Sequence, residues 1–226
     1  MFLNNRGSDF TGILNGCDYE HWNPATDKLI PARFTPGDLS GKALCKTELQ
    51  RRFQLDIRPD WPLFGIVSRF APQKGFNLLM EALPKALNQM LFQLVVLGTG
   101  DAGVESFFRS LSASYPGRVN AHIGYSNEIS HLIEAGSDFF LMPSLYEPCG
   151  LNQMYSLLYG SVPIVRETGG LADTIVDTNE RTLVERTANG FSFTQDNAAA
   201  LNETLHRACA AYARRDVWRQ LVETGM

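Results

Sequence analysis

A chain of 226 residues with a net charge of −4 can hold one α/β domain with a real core plus an extension, and is tight for two full domains. Its apolar fraction of 44% and charged fraction of 19% are those of an ordinary globular protein, and the mildly acidic balance argues against nucleic-acid or anionic-membrane partners, which want a basic face. No apolar run approaches the roughly 20 residues of a membrane span, and the opening MFLNNRGSDF lacks a basic region followed by an apolar stretch, so no signal peptide is expected.

In chain order, residues 1–60 read as an irregular arm rich in proline (Pro24, Pro31, Pro36, Pro59), with one short helix near Lys42–Phe53. A lead-in of this length without sheet of its own is odd in a complete domain. It is expected to have packed against another body. From Trp61 the pattern becomes regular. Strands are predicted at Leu63–Val67, Phe92–Leu97, Val119–Ile123, Asp138–Met142, Val162–Val165 and Phe191–Phe193. Helices are predicted between them at Phe76–Leu87, Gly103–Ser114, Asn127–Ala135, Leu151–Tyr159, Gly170–Asp177 and Asn197–Arg214. Strands that are apolar throughout and alternate with helices imply a parallel sheet buried on both faces. The expectation is a doubly wound, Rossmann-like α/β domain within 61–226, with its regular part ending near 214.

Cys17, Cys45, Cys149 and Cys209 form no CxxC pair, and His21, His122, His131 and His206 lack ligand spacing. Reduced thiols in a cytosolic protein, without a metal site, are therefore expected.

Ligands of open parallel sheets bind beyond the carboxyl ends of the strands. Ser68-Arg69-Phe70 and Lys74-Gly75 follow the first strand, and Gly98-Thr99-Gly100-Asp101 the second. Gly124-Tyr125 follows the third, Pro143–Gln153 (PSLYEPCGLNQ) the fourth, and Thr168-Gly169-Gly170 the fifth. Lys74 is placed in the first turn of a helix, where the macrodipole disfavours a cation by about 0.3–1 kcal/mol. An anion at the helix mouth would remove that conflict, and Arg69 would make a pair of cations suited to phosphate. The plainer alternative is a solvated lysine. Gly98 and Gly100 suit either a ligand turn or a simple tight turn, and Asp101 suits a helix cap. Tyr125 could stack on a base or fill the rim. Thr168-Gly169-Gly170 would leave backbone N–H groups free for phosphate or sugar oxygens, or make a tight turn. Glu147 sits comfortably near a helix N-terminus. Held by Pro148-Cys149-Gly150, it could also accept sugar hydroxyls or stabilise charge growing on an anomeric carbon.

These segments, together with Gly12-Ile13-Leu14-Asn15-Gly16, Trp22-Asn23-Pro24-Ala25-Thr26-Asp27, Ile123-Gly124-Tyr125, Glu147-Pro148-Cys149-Gly150-Leu151 and Thr168-Gly169-Gly170-Leu171-Ala172-Asp173-Thr174, resemble bacterial glycogen synthase and plant starch synthase. The resemblance runs in order from about Thr11 to the end. It implies the C-terminal half of a GT-B glycosyltransferase that moves glucose from ADP-glucose to the non-reducing end of an α-1,4-glucan with retention. Arg69 and Lys74 would neutralise the leaving diphosphate, and Glu147 would hold donor hydroxyls and stabilise the transition state. Leu151 and Asn152 would offer N–H groups to phosphate, with Cys149 and Gly150 beside them. Tyr125 would sit by the adenine, with Gly98, Gly100, Thr168, Gly169 and Gly170 lining the donor site and Asn15 reaching it from the arm. The family is described by a front-face mechanism in which the leaving phosphate helps deprotonate the acceptor. No cofactor beyond the donor and no metal is implied, and no DxD occurs in the chain.

The family's Lys-x-Gly-Gly-Leu loop has no counterpart here, so the N-terminal domain and the final helix are expected to be missing partners, and the isolated chain inactive. The location would be cytoplasmic in bacteria or plastidic in plants. The alternatives are half of another retaining GT-B transferase using a UDP- or GDP-sugar, and a non-catalytic nucleotide- or glucan-binding fragment.

Overall fold

The computed structural model describes residue 11 and residues 15–226. MFLNNRGSDF and Gly12-Ile13-Leu14 lie outside the described residues. Six strands form one sheet: β1 Leu63–Phe70, β2 Gln93–Gly100, β3 Val119–Ile123, β4 Phe139–Met142, β5 Val162–Arg166 and β6 Phe191–Phe193. Their order is β3-β2-β1-β4-β5-β6 and every pairing is parallel. The chain walks outward from β1 to β3, then returns to β4 on the other side of β1. The crevice between β1 and β4 is therefore the topological switch point, where doubly wound sheets take their ligands.

The helices are α1 Ser40–Arg52, α2 Phe76–Gln89, α3 Ala102–Ser114, α4 Asn127–Gly136, α5 Asn152–Leu158, α6 Gly169–Thr174, α7 Glu180–Val184, α8 Ala198–Ala213 and α9 Arg215–Gly225. Alternation along the strands feeds two cores. Phe64, Ile66, Leu94, Val96, Phe139 and Leu141 pack with α2, α3, α8 and α9 on one face. Leu63, Val95, Leu97, Phe140, Met142 and Val165 pack with α1, α4 and α6 on the other. Phe139 is fully buried and stacks on Phe64 at 4.9 Å between ring centroids; each such ring contributes about 1.5–3 kcal/mol by leaving water. The doubly wound fold is as the strand pattern implied.

Several boundaries differ from expectation. β1 and β2 each run three residues further, pairing Ser68 with Gly98, Arg69 with Thr99 and Phe70 with Gly100. The glycines permit this, because a Cβ at either would collide with the Ser68 or Phe70 carbonyl. α6 stops at Thr174, since Ile175 is extended (φ −107°, ψ 121°). α7, nucleated by an Asn179 capping box, was not expected. Nor was α9, which carries regular structure to Gly225 by burying Val217, Leu221 and Val222.

The arm from Trp22 onward docks on the domain itself. The Trp22 indole stacks on His131 of α4 at 3.8 Å and on Tyr155 of α5 at 4.5 Å. Asp27 Oδ2 lies 2.7 Å from His131 Nδ1 and accepts a hydrogen bond from Tyr159 Oη at 2.6 Å. Burial alone would raise the Asp27 carboxyl, but hydrogen bonds from His131, Tyr159 and the Leu29 amide outweigh it and hold the group below its usual range. Burial and the same bond to Asp27 push the Tyr159 hydroxyl up. Further along, Lys46 of α1 donates to Asp138 Oδ2 at 2.7 Å and to Tyr212 Oη, Pro59 O and Trp61 O, at the edge where the strands begin.

Candidate functional site

A cavity of about 490 Å³ opens at the carboxyl edge of β1 and β4, and its walls include Asn15, Arg69, Lys74, Glu147, Cys149 and Asn152. β1 delivers Arg69. The 3-10 turn Pro72–Lys74 that follows delivers Lys74. Gly75, at φ 72°, then caps α2, and a side chain there would strike the Pro143 carbonyl. Lys74 thus precedes α2 rather than standing in its first turn, and the expected clash with the helix dipole is relieved by Glu147. The Lys74 ammonium lies 2.6 Å from Glu147 Oε2, which also accepts from Ser144 Oγ at 3.2 Å. Arg69 is exposed and makes no ion pair among the described residues.

The segment from Pro143 to Gly150 has no regular structure and is held from several sides. Its Leu145 N–H donates to Gln73 O at 2.8 Å, and Gln73 Nε2 donates to Tyr146 O at 3.0 Å. From β5, Arg166 Nε donates to Ser144 O at 3.1 Å and its Nη2 donates to Leu145 O. The Gly170 N–H donates to Glu147 O at 2.9 Å. Gly169 (φ 46°) and Gly170 carry no Cβ because the carbonyls of Glu147 and Cys149 press against them. Thr168-Gly169-Gly170 therefore buttresses the Glu147 loop from behind and lies outside the cavity lining. The expected free N–H at Gly170 is corrected: a carbonyl of the loop already takes it.

Leu151 caps the seven-residue α5 without a side-chain hydrogen bond to its first amides. Leu151 and Asn152 both line the cavity, and Asn152 Nδ2 ties α5 to β1 through Val67 O at 3.0 Å. Beneath α5, Ser156 Oγ donates to Glu134 Oε2 at 2.7 Å. Burial pushes the Glu134 carboxyl up to about 8 and the neighbouring Lys42 ammonium down to about 8.

Gly98 and Tyr125 meet Arg69 and Asn152 around an adjoining, mostly apolar cavity of about 210 Å³. Tyr125 is 84% exposed. Gly100 is not part of either cavity: its N–H and Thr99 Oγ1 both donate to Glu105 Oε1, at 3.1 and 2.8 Å. Asp101 caps α3 through the Val104 N–H at 3.0 Å. The residues missed in the sequence are Gln73, Ser144 and Arg166. Arg166 ends β5 much as Arg69 stands one residue before the end of β1, and that placement was its available signal. Among the described residues no group of three His, Cys, Asp or Glu could hold a metal ion, and no helix is long and apolar enough to cross a membrane.

Two cations, one carboxylate and uncapped helix amides at a switch point can bind an anionic, hydroxyl-bearing ligand, with an apolar annex able to take a flat ring. A domain so built is of the doubly wound α/β class. The model of the family "Glycosyl transferases group 1" matches residues 48–221, and the chain belongs to that family. It is 49% identical to a glycogen synthase of Thioalkalivibrio sulfidiphilus over 99% of its length and 46% of the relative's. It is 50% identical to glycogen synthase 1 of Geobacter metallireducens, over 98% of this chain and 43% of that one. The chain thus spans somewhat under half the length of these curated relatives. Among solved structures it superposes with a TM-score of 0.92 on the catalytic domain of starch synthase IV from Arabidopsis thaliana bound to ADP and acarbose, at 37% identity over 100% of this chain and 46% of that one. The C-terminal domain of a group 1 glycosyl transferase from Francisella tularensis shares the fold, with a TM-score of 0.65 at 16% identity over 93% of this chain and 94% of that one.

Proposed function

We propose that this chain is the donor-binding part of an enzyme that transfers glucose from ADP-glucose to the non-reducing end of an α-1,4-glucan with retention. The observation that carries the reading is the Lys74–Glu147 pair at 2.6 Å, set at the switch-point cavity beside an Arg69 that has no carboxylate partner among the described residues. Similarity to glycogen synthases and to a starch synthase bound to ADP and acarbose supports it.

In this reading Arg69, Lys74 and the α5 amides of Leu151 and Asn152 take the diphosphate. Their charge and dipoles offset the negative charge that grows on it as the glycosidic bond breaks. Glu147, in contact with Lys74 and Ser144, accepts glucose hydroxyls and faces the positive charge developing at the anomeric carbon. The adenine enters the annex under Tyr125 and beside Gly98. Cys149 and Gly150 shape the sugar end, Asn15 closes the rim, and Thr168, Gly169 and Gly170 act through the loop they support rather than on the ligand. In the same reading the acceptor surface lies in a second domain, supplied by the rest of the protein, and the enzyme works in the bacterial cytoplasm or a plastid. Half of a cleft cannot place an acceptor, and lost positioning alone removes many orders of magnitude in rate, so this chain by itself is expected to bind donor with little or no transfer.

Titration calorimetry tests the reading. ADP is expected to bind with heat that Arg69→Ala largely removes, and ADP-glucose to outcompete UDP-glucose. Absence of ADP binding at millimolar concentration would sink the phosphate assignment, and preference for UDP-glucose would sink the choice of base.

A further inference from the structure

The Glu147 loop has no helix or strand to hold it, yet its position decides where the carboxylate points. Three successive carbonyls in it, those of Ser144, Leu145 and Tyr146, are each taken by a side chain from a neighbouring element. Two of the three belong to Arg166. Its Nε reaches Ser144 O at 3.1 Å and its Nη2 reaches Leu145 O. Ser144 is itself 1% exposed and sends its hydroxyl to Glu147 Oε2. A guanidinium ending a strand beside an acidic loop would ordinarily meet a carboxylate. Among the described residues Arg166 makes no such pair, and its planar fork spans two adjacent carbonyls instead. A lysine has no fork and could reach only one of them.

We infer that Arg166 is a positioning residue for Glu147: it fixes the loop so that the carboxylate meets the sugar part of the donor, without touching the nucleotide. The inference rests on the proposed donor-binding reading. It adds to that reading a residue outside the cavity lining, whose effect falls on one part of the ligand.

The test uses the full chain and the ratio of dissociation constants for ADP-glucose and ADP, which isolates the sugar contribution. Glu147→Gln and Arg166→Met are each expected to raise that ratio by about 10-fold, the worth of one hydrogen bond to a charged group, and Arg166→Met to do so with the ADP constant close to that of the parent. Arg166→Lys should give an intermediate shift. In the Glu147→Gln background, Arg166→Met should change nothing further. If Arg166→Met weakens ADP and ADP-glucose in equal proportion, Arg166 is a general scaffold or a phosphate ligand and the inference is overturned. A ratio moved by Glu147→Gln but not by Arg166→Met overturns it while leaving the donor-binding reading standing. If the parent chain binds neither ligand, the donor-binding reading itself fails.

Discussion

Two lysine–carboxylate pairs mark opposite edges of the same sheet. Lys46–Asp138, at the edge where strands begin, leaves its side chains 9% and 10% exposed, and the ammonium has three further acceptors in Tyr212, Pro59 and Trp61. Asp138 also accepts the Leu63 N–H at 2.8 Å. Burial would lower the Lys46 ammonium's affinity for its proton, but attraction to Asp138 and Tyr212 outweighs it and raises the group above its ordinary value. Every donor there is used. Lys74–Glu147, at the edge where strands end, leaves the lysine side chain 23% exposed and opens onto a cavity. The same two chemical groups are a closed fastening in one place and a half-satisfied, accessible pair in the other. Satisfaction of the surrounding donors separates a structural ion pair from one available to a ligand.

The largest effect should come from breaking the closed pair. Asp138→Ala strands a buried ammonium and the Leu63 amide, and should cost about 3–5 kcal/mol in denaturant unfolding. A loss below about 1 kcal/mol would mean that water reaches this edge. Lys74→Met should behave in the opposite sense. Stability should fall by less than in Asp138→Ala, while ADP affinity measured by calorimetry falls about 10- to 100-fold. Equal damage to folding and binding would erase the distinction between the two edges.

The smallest effect concerns the arm. The Asp27 carboxyl is held below its ordinary value, so the stability it lends is present above about pH 4 and is lost as pH falls through the lowered value. Trp22 fluorescence should report undocking over that acidic window. Asp27→Asn should abolish the step and cost about 1–2 kcal/mol at neutral pH. An unchanged acid transition in Asp27→Asn would assign the undocking to other carboxylates.

The sheet was legible because its strands are apolar on both faces, as at Phe64-Gly65-Ile66 and Phe139-Phe140-Leu141. α9 was not, since its buried Val217, Leu221 and Val222 lie among charged residues that read as a polar tail. In the site, residue type and strand-end placement pointed to Arg69, Lys74 and Glu147, and the cavity brings them together. What sequence could not show was which polar groups spend themselves internally. Gly100 gives its N–H to Glu105, Gly170 gives its own to the Glu147 carbonyl, and Arg166 spans two carbonyls of the loop. Those choices depend on which loops touch, and the loops come from distant parts of the chain.

The contrast between the two edges is tested most directly by amide chemical shifts during an ADP titration. The account predicts the largest movements at Arg69, Lys74 and residues 147–152, with the amides of Lys46 and Asp138 unmoved. Movements centred on Lys46 and Asp138, or none at millimolar ADP, would contradict it.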